Sequence, residues 1–386
     1  MEFATIAQLP KAASRVLVRL DLNVPLAGQE VADDFRIEAA VPTVRSLLAR
    51  GLDLTLISHL GRPGGKPEPA LSLRPVAAAL SRQLGRPVEF LAGVPGDARY
   101  RDWRGSAGGS LALAENLRFD PGEEANQMDF AQRLAAGRQA FVQDAFGSLH
   151  RAHASTVAIA RLLPSSAGPL LQAEVEALDR LLHDGSRPFG LAIGGAKMKD
   201  KLPLLRRLLP QVDVVLLGGA LANTFLAASG KGVGQSLYEP GQLEVARELL
   251  AKWPGVIHLP TSVVVARGAA VEEVGVDAVP EDARIMDIGE RTVEAWRPLV
   301  LELKRLFWNG PMGLYEQPPF DRGTRGLARL VGAMQGLSVV GGGDSLAAIR
   351  RLGLAQAVTH LSTGGGAALA YLQGDVLPGL RALEQG

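Results

Sequence analysis

The sequence predicts an α/β protein of two domains, each built on a doubly wound parallel sheet. Its 386 residues exceed what one ordinary core organises, so two domains are expected. Short apolar runs alternate with amphipathic segments along nearly the whole chain, the pattern of strands joined by crossover helices. The apolar runs also end repeatedly in Gly, Asp, Asn, His or Arg. In parallel sheets such residues collect at the carboxyl edge, where ligands bind.

Composition narrows the function classes. Hydrophobic residues make up 47% and charged residues 21%, which suits a globular chain and not a disordered one. With 41 basic and 40 acidic residues the net charge is +1, so no overall field favours nucleic acid and any basic site must be local. The absence of cysteine rules out disulfides, thiolate-bound zinc and thiol nucleophiles, and suits a reducing cytoplasm. The start, MEFATIAQLPKAASR, lacks the charged head and apolar core of a signal peptide. The most membrane-like run, residues 212–229, contains Asp213 and Asn223 and is divided by Gly218-Gly219; it reads as strand, turn and helix, and no membrane partner is expected.

In the first half, RVLVRL over Arg15–Leu20 is a strand that runs into Asp21-Leu22-Asn23-Val24-Pro25. Pro25 stops regular pairing and leaves Asp21 and Asn23 at the strand's end, although an ordinary Asx turn would account for them equally well. Asp33-Asp34-Phe35-Arg36 opens a helix that the aspartates could cap. LDLTLI is the next strand and ends in Ser58-His59-Leu60-Gly61-Arg62-Pro63. A helix over 73–84 and a strand over 87–91 follow, with 99–109 irregular. The strand 111–114 leads to Glu115-Asn116-Leu117-Arg118, a helix covers 128–136, and the strand 140–143 leads to DAFGSLHRAHAST. His59, Arg62, Arg118, His150, Arg151 and His153 thus stand at strand exits. Singly, each long cation could be a solvated surface group. Gathered at one sheet edge, they would form a cup for a phosphate or carboxylate. Metal binding by His150 and His153 lacks any supporting carboxylate or cysteine spacing.

The second half opens with the amphipathic helix 170–183, after a boundary expected at Pro164–Pro169. Next comes LAIGGAKMKDKLPLL, where a short strand breaks into Gly194-Gly195 before a helix. That layout aims backbone N–H groups and a helix dipole at an anion, without the spacing of a Walker loop. Only eight of the 41 basic residues are lysine, and Lys197, Lys199 and Lys201 fall together here. Lys197 and Lys201, one helical turn apart, are expected to face one side. Strands over 212–217, 256–259, 263–265, 283–289, 306–308, 337–340 and 358–361 follow, with helices over 243–250, 292–303 and 346–352. Glycine turns end four of these strands: Gly218-Gly219, Asn309-Gly310-Pro311-Met312-Gly313, Gly341-Gly342-Gly343-Asp344-Ser345 and Gly364-Gly365-Gly366. With Gly194-Gly195 they make five turns whose exposed N–H groups would suit a polyphosphate. Asp344 could ligate magnesium or cap the helix that follows it.

These residues, in this order, closely resemble the phosphoglycerate kinase family. The motifs that carry the resemblance are VRLDLNVP, DDFR, SHLGRP, ENLRF, DAFGSLHRAHAST, GGAKMKDK, GGALANTF, DIGERT, FWNGPMGLYE, VVGGGDS and HLSTGGGA, spread over nearly the full length. The resemblance implies two Rossmann-like domains joined by a helix and hinge. Residues 1–168 would bind phosphoglycerate, residues 169–372 would bind nucleotide, and the tail 373–386 would pack back on the first domain. The implied reaction is reversible phosphoryl transfer from 1,3-bisphosphoglycerate to MgADP, by in-line transfer after hinge closure. Asp21, Leu22, Asn23, Arg36, His59, Leu60, Gly61, Arg62, Arg118 and Arg151 would hold phosphoglycerate. Lys201, Asn309, Glu316, Gly342, Gly343, Asp344 and Ser345 would hold nucleotide, with Asp344 on Mg²⁺. Arg36, Lys197 and Lys201 would act on the transferring group. Small molecules are the implied partners of a cytoplasmic monomer. Departures such as Leu22, Phe35, Met198-Lys199, Ser262 and Glu290-Arg291 leave the assigned chemistry intact, although Leu22 lies inside the phosphoglycerate set.

A catalytically silent nucleotide-binding protein of the same fold is the alternative. The presence of Arg36, Lys197, Lys201 and Asp344 weighs against it. A dinucleotide-dependent dehydrogenase would need G-x-G-x-x-G after the first strand, and no such unit opens the chain.

Overall fold

The computed structural model describes residues 3–103 and 108–384. The chain divides into two compact units, Met1–Glu176 with Asp375–Gly386, and Ala177–Gly374. The division falls inside the helix Pro169–His183.

In unit 1 six parallel strands lie in the order Glu89–Leu91, Leu111–Ala114, Asp53–Ile57, Arg15–Arg19, Ala140–Gln143 and Ser165–Ala167. Both faces of this sheet are covered, which explains why the strands read as nearly continuous apolar runs. Val16, Val18, Leu54 and Leu56 face a core shared with the helices Phe35–Leu48 and Arg74–Leu84. Leu17, Ile57, Ala112 and Phe141 face a second core containing Phe130, Leu134 and Ile159. The helix Pro378–Glu384 completes the unit, with Leu380 and Leu383 buried and the Gly379 N–H donating to the Leu149 carbonyl at 3.0 Å.

Unit 2 holds a second six-stranded parallel sheet, in the order Ile257–His258, Val214–Leu217, Phe189–Ile193, Arg305–Asn309, Leu337–Gly341 and His360–Ser362. Numbered along the chain this is 3-2-1-4-5-6, the order of doubly wound nucleotide folds. The direction of winding reverses between Phe189–Ile193 and Arg305–Asn309, so the crevice at the carboxyl ends of those two strands is the expected ligand position. Trp296, Trp308, Leu327 and Val331 pack in the core on one face. An antiparallel sheet of Ala270–Gly275, Ser262–Arg267 and Arg284–Ile288 is inserted ahead of the fourth strand.

Several local expectations change. The stretch 99–109, expected to be irregular, begins inside a short helix, Ala98–Asp102, whose Asp97 cap accepts the Tyr100 N–H at 2.9 Å; residues 104–107 of that stretch lie outside the described residues. Ser165–Ala167, read as part of a boundary, is a buried edge strand of the first sheet. The strand Ala270–Gly275 and the helix Arg322–Ala333 had not been expected. Among the described residues, no helix is long and apolar enough to cross a membrane.

Candidate active site

The carboxyl edge of the first sheet gathers its polar residues through short turns. Arg36, in the first turn of Phe35–Leu48, donates from Nη1 to Asp21 Oδ1 at 3.4 Å and to the Asn23 carbonyl at 2.7 Å. Asn23 Oδ1 in turn accepts the Gly61 N–H at 3.0 Å, which ties the first strand exit to the second. Gly61 has φ +61°, and a Cβ there would lie 2.7 Å from Leu71. Its carbonyl accepts from Arg118 Nη1 at 2.6 Å. Arg118 is nearly fully buried, and its Nε lies 3.2 Å from Glu124. Arg151 donates to His150 Nε2 at 3.1 Å, and Arg62 is exposed.

Leu22 and Leu60 turn buried side chains away from solvent. The Leu22 N–H is taken by Ser58 Oγ, and Asn116 bonds both the N–H and the carbonyl of Leu60. Both leucines shape the edge through the backbone.

Charge is crowded here. His59 is held well below its usual pKa by burial and by the guanidinium groups of Arg19, Arg118 and Arg36. Burial also lowers the Arg118 pKa, opposed by Glu124 and reinforced by Arg151 and Arg19. Arg19, at the end of the first strand, is a fully buried residue that the sequence reading passed over, as are its indirect counter-charge Glu123 and the bridging Ser155. A guanidinium inside a strand apolar on both faces was the available signal for Arg19; Glu123 carried none.

In unit 2 the glycine turns interlock. Gly195 N–H donates to the Pro311 carbonyl at 2.9 Å, Gly219 N–H to Met312 at 2.8 Å, and Gly218 N–H to Ile193 at 2.9 Å. Gly194 N–H bonds the Asn309 carbonyl at 2.9 Å, and a Cβ on Gly194 would sit 2.0 Å from the Pro311 oxygen. The expectation that all five turns present free N–H groups to an anion therefore fails for the first two. Their N–H groups are consumed in bringing three strand exits into backbone contact.

What the packing leaves at this edge is a set of side chains and the first turn of Gly343–Arg351. Lys201 Nζ bonds Asn309 Oδ1, whose Nδ2 donates to the Gly341 carbonyl at 2.6 Å. Ser345 Oγ accepts the Gly310 N–H at 2.6 Å and lies 3.0 Å from the Gly341 carbonyl, so this hydroxyl locks two turns together. Gly342 has φ +99°, and a Cβ there would meet Asn309 Nδ2 at 2.5 Å. Burial lowers the Lys201 pKa, with Asp344 and Asp200 opposing. Lys197 is exposed and precedes the helix Met198–Leu208, so it is not one helical turn from Lys201 within the helix; Lys199 is also exposed.

A cavity of about 290 Å³ opens beside these residues. Its lining includes Gly195, Gly219, Leu237, Leu314, Glu316 and Asp344. Asp287 also lines it, and burial pushes that carboxyl up to about 8. Glu316 and Asp344 are exposed and both raise the Tyr315 pKa, after burial, so the carboxylates lie near one phenol. Among the described residues no three His, Cys, Asp or Glu side chains converge on a metal position. A lone exposed carboxylate such as Asp344 does fit magnesium, which keeps waters and takes its other ligands from phosphate oxygens.

The phosphoglycerate kinase family model matches residues 6–375. The chain is 49% identical to phosphoglycerate kinase of Thermomicrobium roseum, covering 99% of both chains. It is 46% identical to that of Thermus thermophilus, covering 98% of this chain and 99% of the relative. The solved structure of phosphoglycerate kinase from Coxiella burnetii is 38% identical with a TM-score of 0.86, covering 100% of this chain and 99% of that one. That from Pyrococcus horikoshii is 30% identical with a TM-score of 0.89, covering 99% and 98%. The chain belongs to the phosphoglycerate kinase family.

Proposed function

We propose that the basic edge of unit 1 holds the phosphoglycerate and the interlocked turns of unit 2 hold the nucleotide. The reaction is the family's reversible transfer of a phosphoryl group from 1,3-bisphosphoglycerate to ADP, giving 3-phosphoglycerate and ATP. One observation carries the assignment of the first edge: the buried His59 is bonded to Arg19 and faces the guanidinium groups of Arg118 and Arg36 as well. A fold tolerates such crowding where an anion relieves it.

Arg36 is the residue assigned to the transferring group. Asp21 and the Asn23 carbonyl occupy one of its terminal nitrogens, and its remaining N–H groups stay available for equatorial phosphoryl oxygens. Lys201, held by Asn309, and Lys197 supply charge from the nucleotide side. Glu316 faces the nucleotide as well, and Gly342, Gly343 and Ser345 frame its phosphates at the start of a helix. Asp344 would hold Mg²⁺, which when bound neutralises phosphate charge. An acyl phosphate is already an activated donor, so the side chains need only align the reactants and exclude water. Because the two half-sites belong to different units, turnover requires hinge closure. Each half-site is complete in one chain, which supports a monomer; the cysteine-free composition suits the cytoplasm, and the near-zero net charge gives nucleic acid no purchase.

The test is ATP-dependent phosphorylation of 3-phosphoglycerate, read through a coupled dehydrogenase. A folded preparation that binds nucleotide without turnover would overturn the proposal. Arg36→Ala is expected to lower turnover by roughly 10²–10³, the effect of removing one transition-state donor. A folded variant with turnover near wild type would show Arg36 to be misassigned.

A further inference from the structure

Below the basic edge of unit 1 runs a one-directional chain of buried hydrogen bonds. Arg19 Nη2 lies 3.0 Å from His59 Nδ1 and 3.4 Å from Ser148 Oγ. Its Nη1 donates to the Leu20 carbonyl at 2.5 Å, and its Nε donates to Ser155 Oγ at 3.0 Å. Ser155 passes its own proton onward, donating from Oγ to Glu123 Oε1 at 2.6 Å, while its N–H donates to Oε2 at 3.0 Å. Arg19, Ser155 and Glu123 are essentially inaccessible to solvent.

The chemistry of this chain fixes a proton. Guanidinium has donors and no acceptor, so the nitrogen facing it must offer a lone pair. His59 Nδ1 is therefore bare, and the ring proton sits on Nε2. We propose that Arg19, backed by Ser155 and Glu123, is a positioning residue that fixes His59 as a neutral Nε2–H donor to phosphoglycerate, where a strand-exit histidine would otherwise act as a cation. The proposal rests on the assignment of this edge to phosphoglycerate.

The surroundings act in the same sense. Arg36 from the helix Phe35–Leu48, Arg118 from the turn Leu117–Phe119, and His153 all face His59 with like charge or none. The carboxylates near them are engaged: Asp21 with Arg36, Glu123 with Ser155 and His153, and Glu124 with Arg118. None of them contacts the His59 ring. Positive charge for the substrate then comes from arginine alone, and His59 contributes direction.

The direct test is nitrogen NMR of the His59 ring in the ¹⁵N-labelled full chain between about pH 5.5 and 8, the window in which an ordinary histidine titrates. The expected result is a bare Nδ1 and a protonated Nε2 throughout. Titration of His59 inside that window, or a proton on Nδ1, would overturn the proposal without any variant. Arg19→Gln places an amide oxygen that can accept from Nδ1. It is expected to make His59 titratable and to raise the KM for 3-phosphoglycerate roughly tenfold or more, the range for one hydrogen bond to a charged group, with the KM for ATP unchanged. Arg19→Lys, a donor only, should keep the tautomer and most of the affinity. Equal rises in both KM values, or an unaltered His59 ring in folded Arg19→Gln, would overturn the positioning role. If the wild-type ring shows the expected tautomer and 3-phosphoglycerate leaves its signals unmoved, the substrate assignment falls while the hold of Arg19 on the ring stands.

Discussion

Asp287 joins three segments of unit 2 through one carboxyl group. Its oxygens accept the N–H groups of Ile288 at 2.8 Å and Gly323 at 2.7 Å. A Cβ on Gly313 or Gly323 would come within 2.2 or 2.3 Å of Oδ1, so both neighbours need to be glycine at this approach. Burial lifts the pKa from 3.8 to about 8, so between those values the folded chain keeps a proton that the unfolded chain has released. The contribution is fully present below the unfolded value and is lost as pH rises through the folded one, with a slope of at most about 1.4 kcal/mol per pH unit. Asp287→Asn removes the titration and one acceptor. The stability advantage of the wild type over this variant should therefore shrink between pH 5.5 and 8.5, as measured by urea unfolding; a constant difference would contradict the assignment. Residues of this kind were the least legible in the sequence. Arg36 and Asp344 stand at strand or helix ends and announce themselves by position. The parts played by Arg19, Glu123 and Asp287 depend on what lies across a core, and a single sequence does not record that.

At the scale of elements, glycines read as anion-binding turns prove to be contact points between strand exits. Gly219 has φ +62°, and a Cβ there would lie 2.7 Å from both the N and O atoms of Gly195. Gly230 has φ +84° with open space around it. Gly219→Ala should therefore cost the backbone term common to both sites plus a steric term of about 1–3 kcal/mol, whereas Gly230→Ala should cost the backbone term alone, about 1–2 kcal/mol. Calorimetry on the two variants separates these contributions, and equal losses would show that the turns yield easily. The strands and their exits were legible because parallel sheets impose long apolar runs. Which exits would touch was not, since Phe189–Ile193 meets Arg305–Asn309 only after the intervening sheet has been inserted. Ala270–Gly275 escaped notice because its residues are exposed or half-buried and much of the strand lacks an apolar face.

For the whole molecule, the parallel α/β character could be read from the alternation of strands and helices, and the family from the motifs. The resemblance set the units at 1–168 and 169–372 with a tail from 373, whereas the contacts divide the chain after Glu176 and after Gly374. The helix Pro378–Glu384 buries Gly379, Leu380 and Leu383, and the preceding Leu377 is also buried in unit 1. A chain ending at Gly374 should keep nucleotide binding and lose hydrogen-exchange protection around Leu149–Thr156, where Gly379 packs. Full protection in that truncated chain would show the helix to be dispensable.

That return of the chain also sets an order of birth. During synthesis the residues of unit 1 up to Glu176 emerge first, yet the helix that closes them appears only after all of unit 2. At ~5–20 residues per second the delay is roughly 10–40 s. A nascent chain would therefore be able to finish unit 2 before unit 1. For that interval the earlier-made unit would stand with an apolar groove uncovered, a natural place for a chaperone to act.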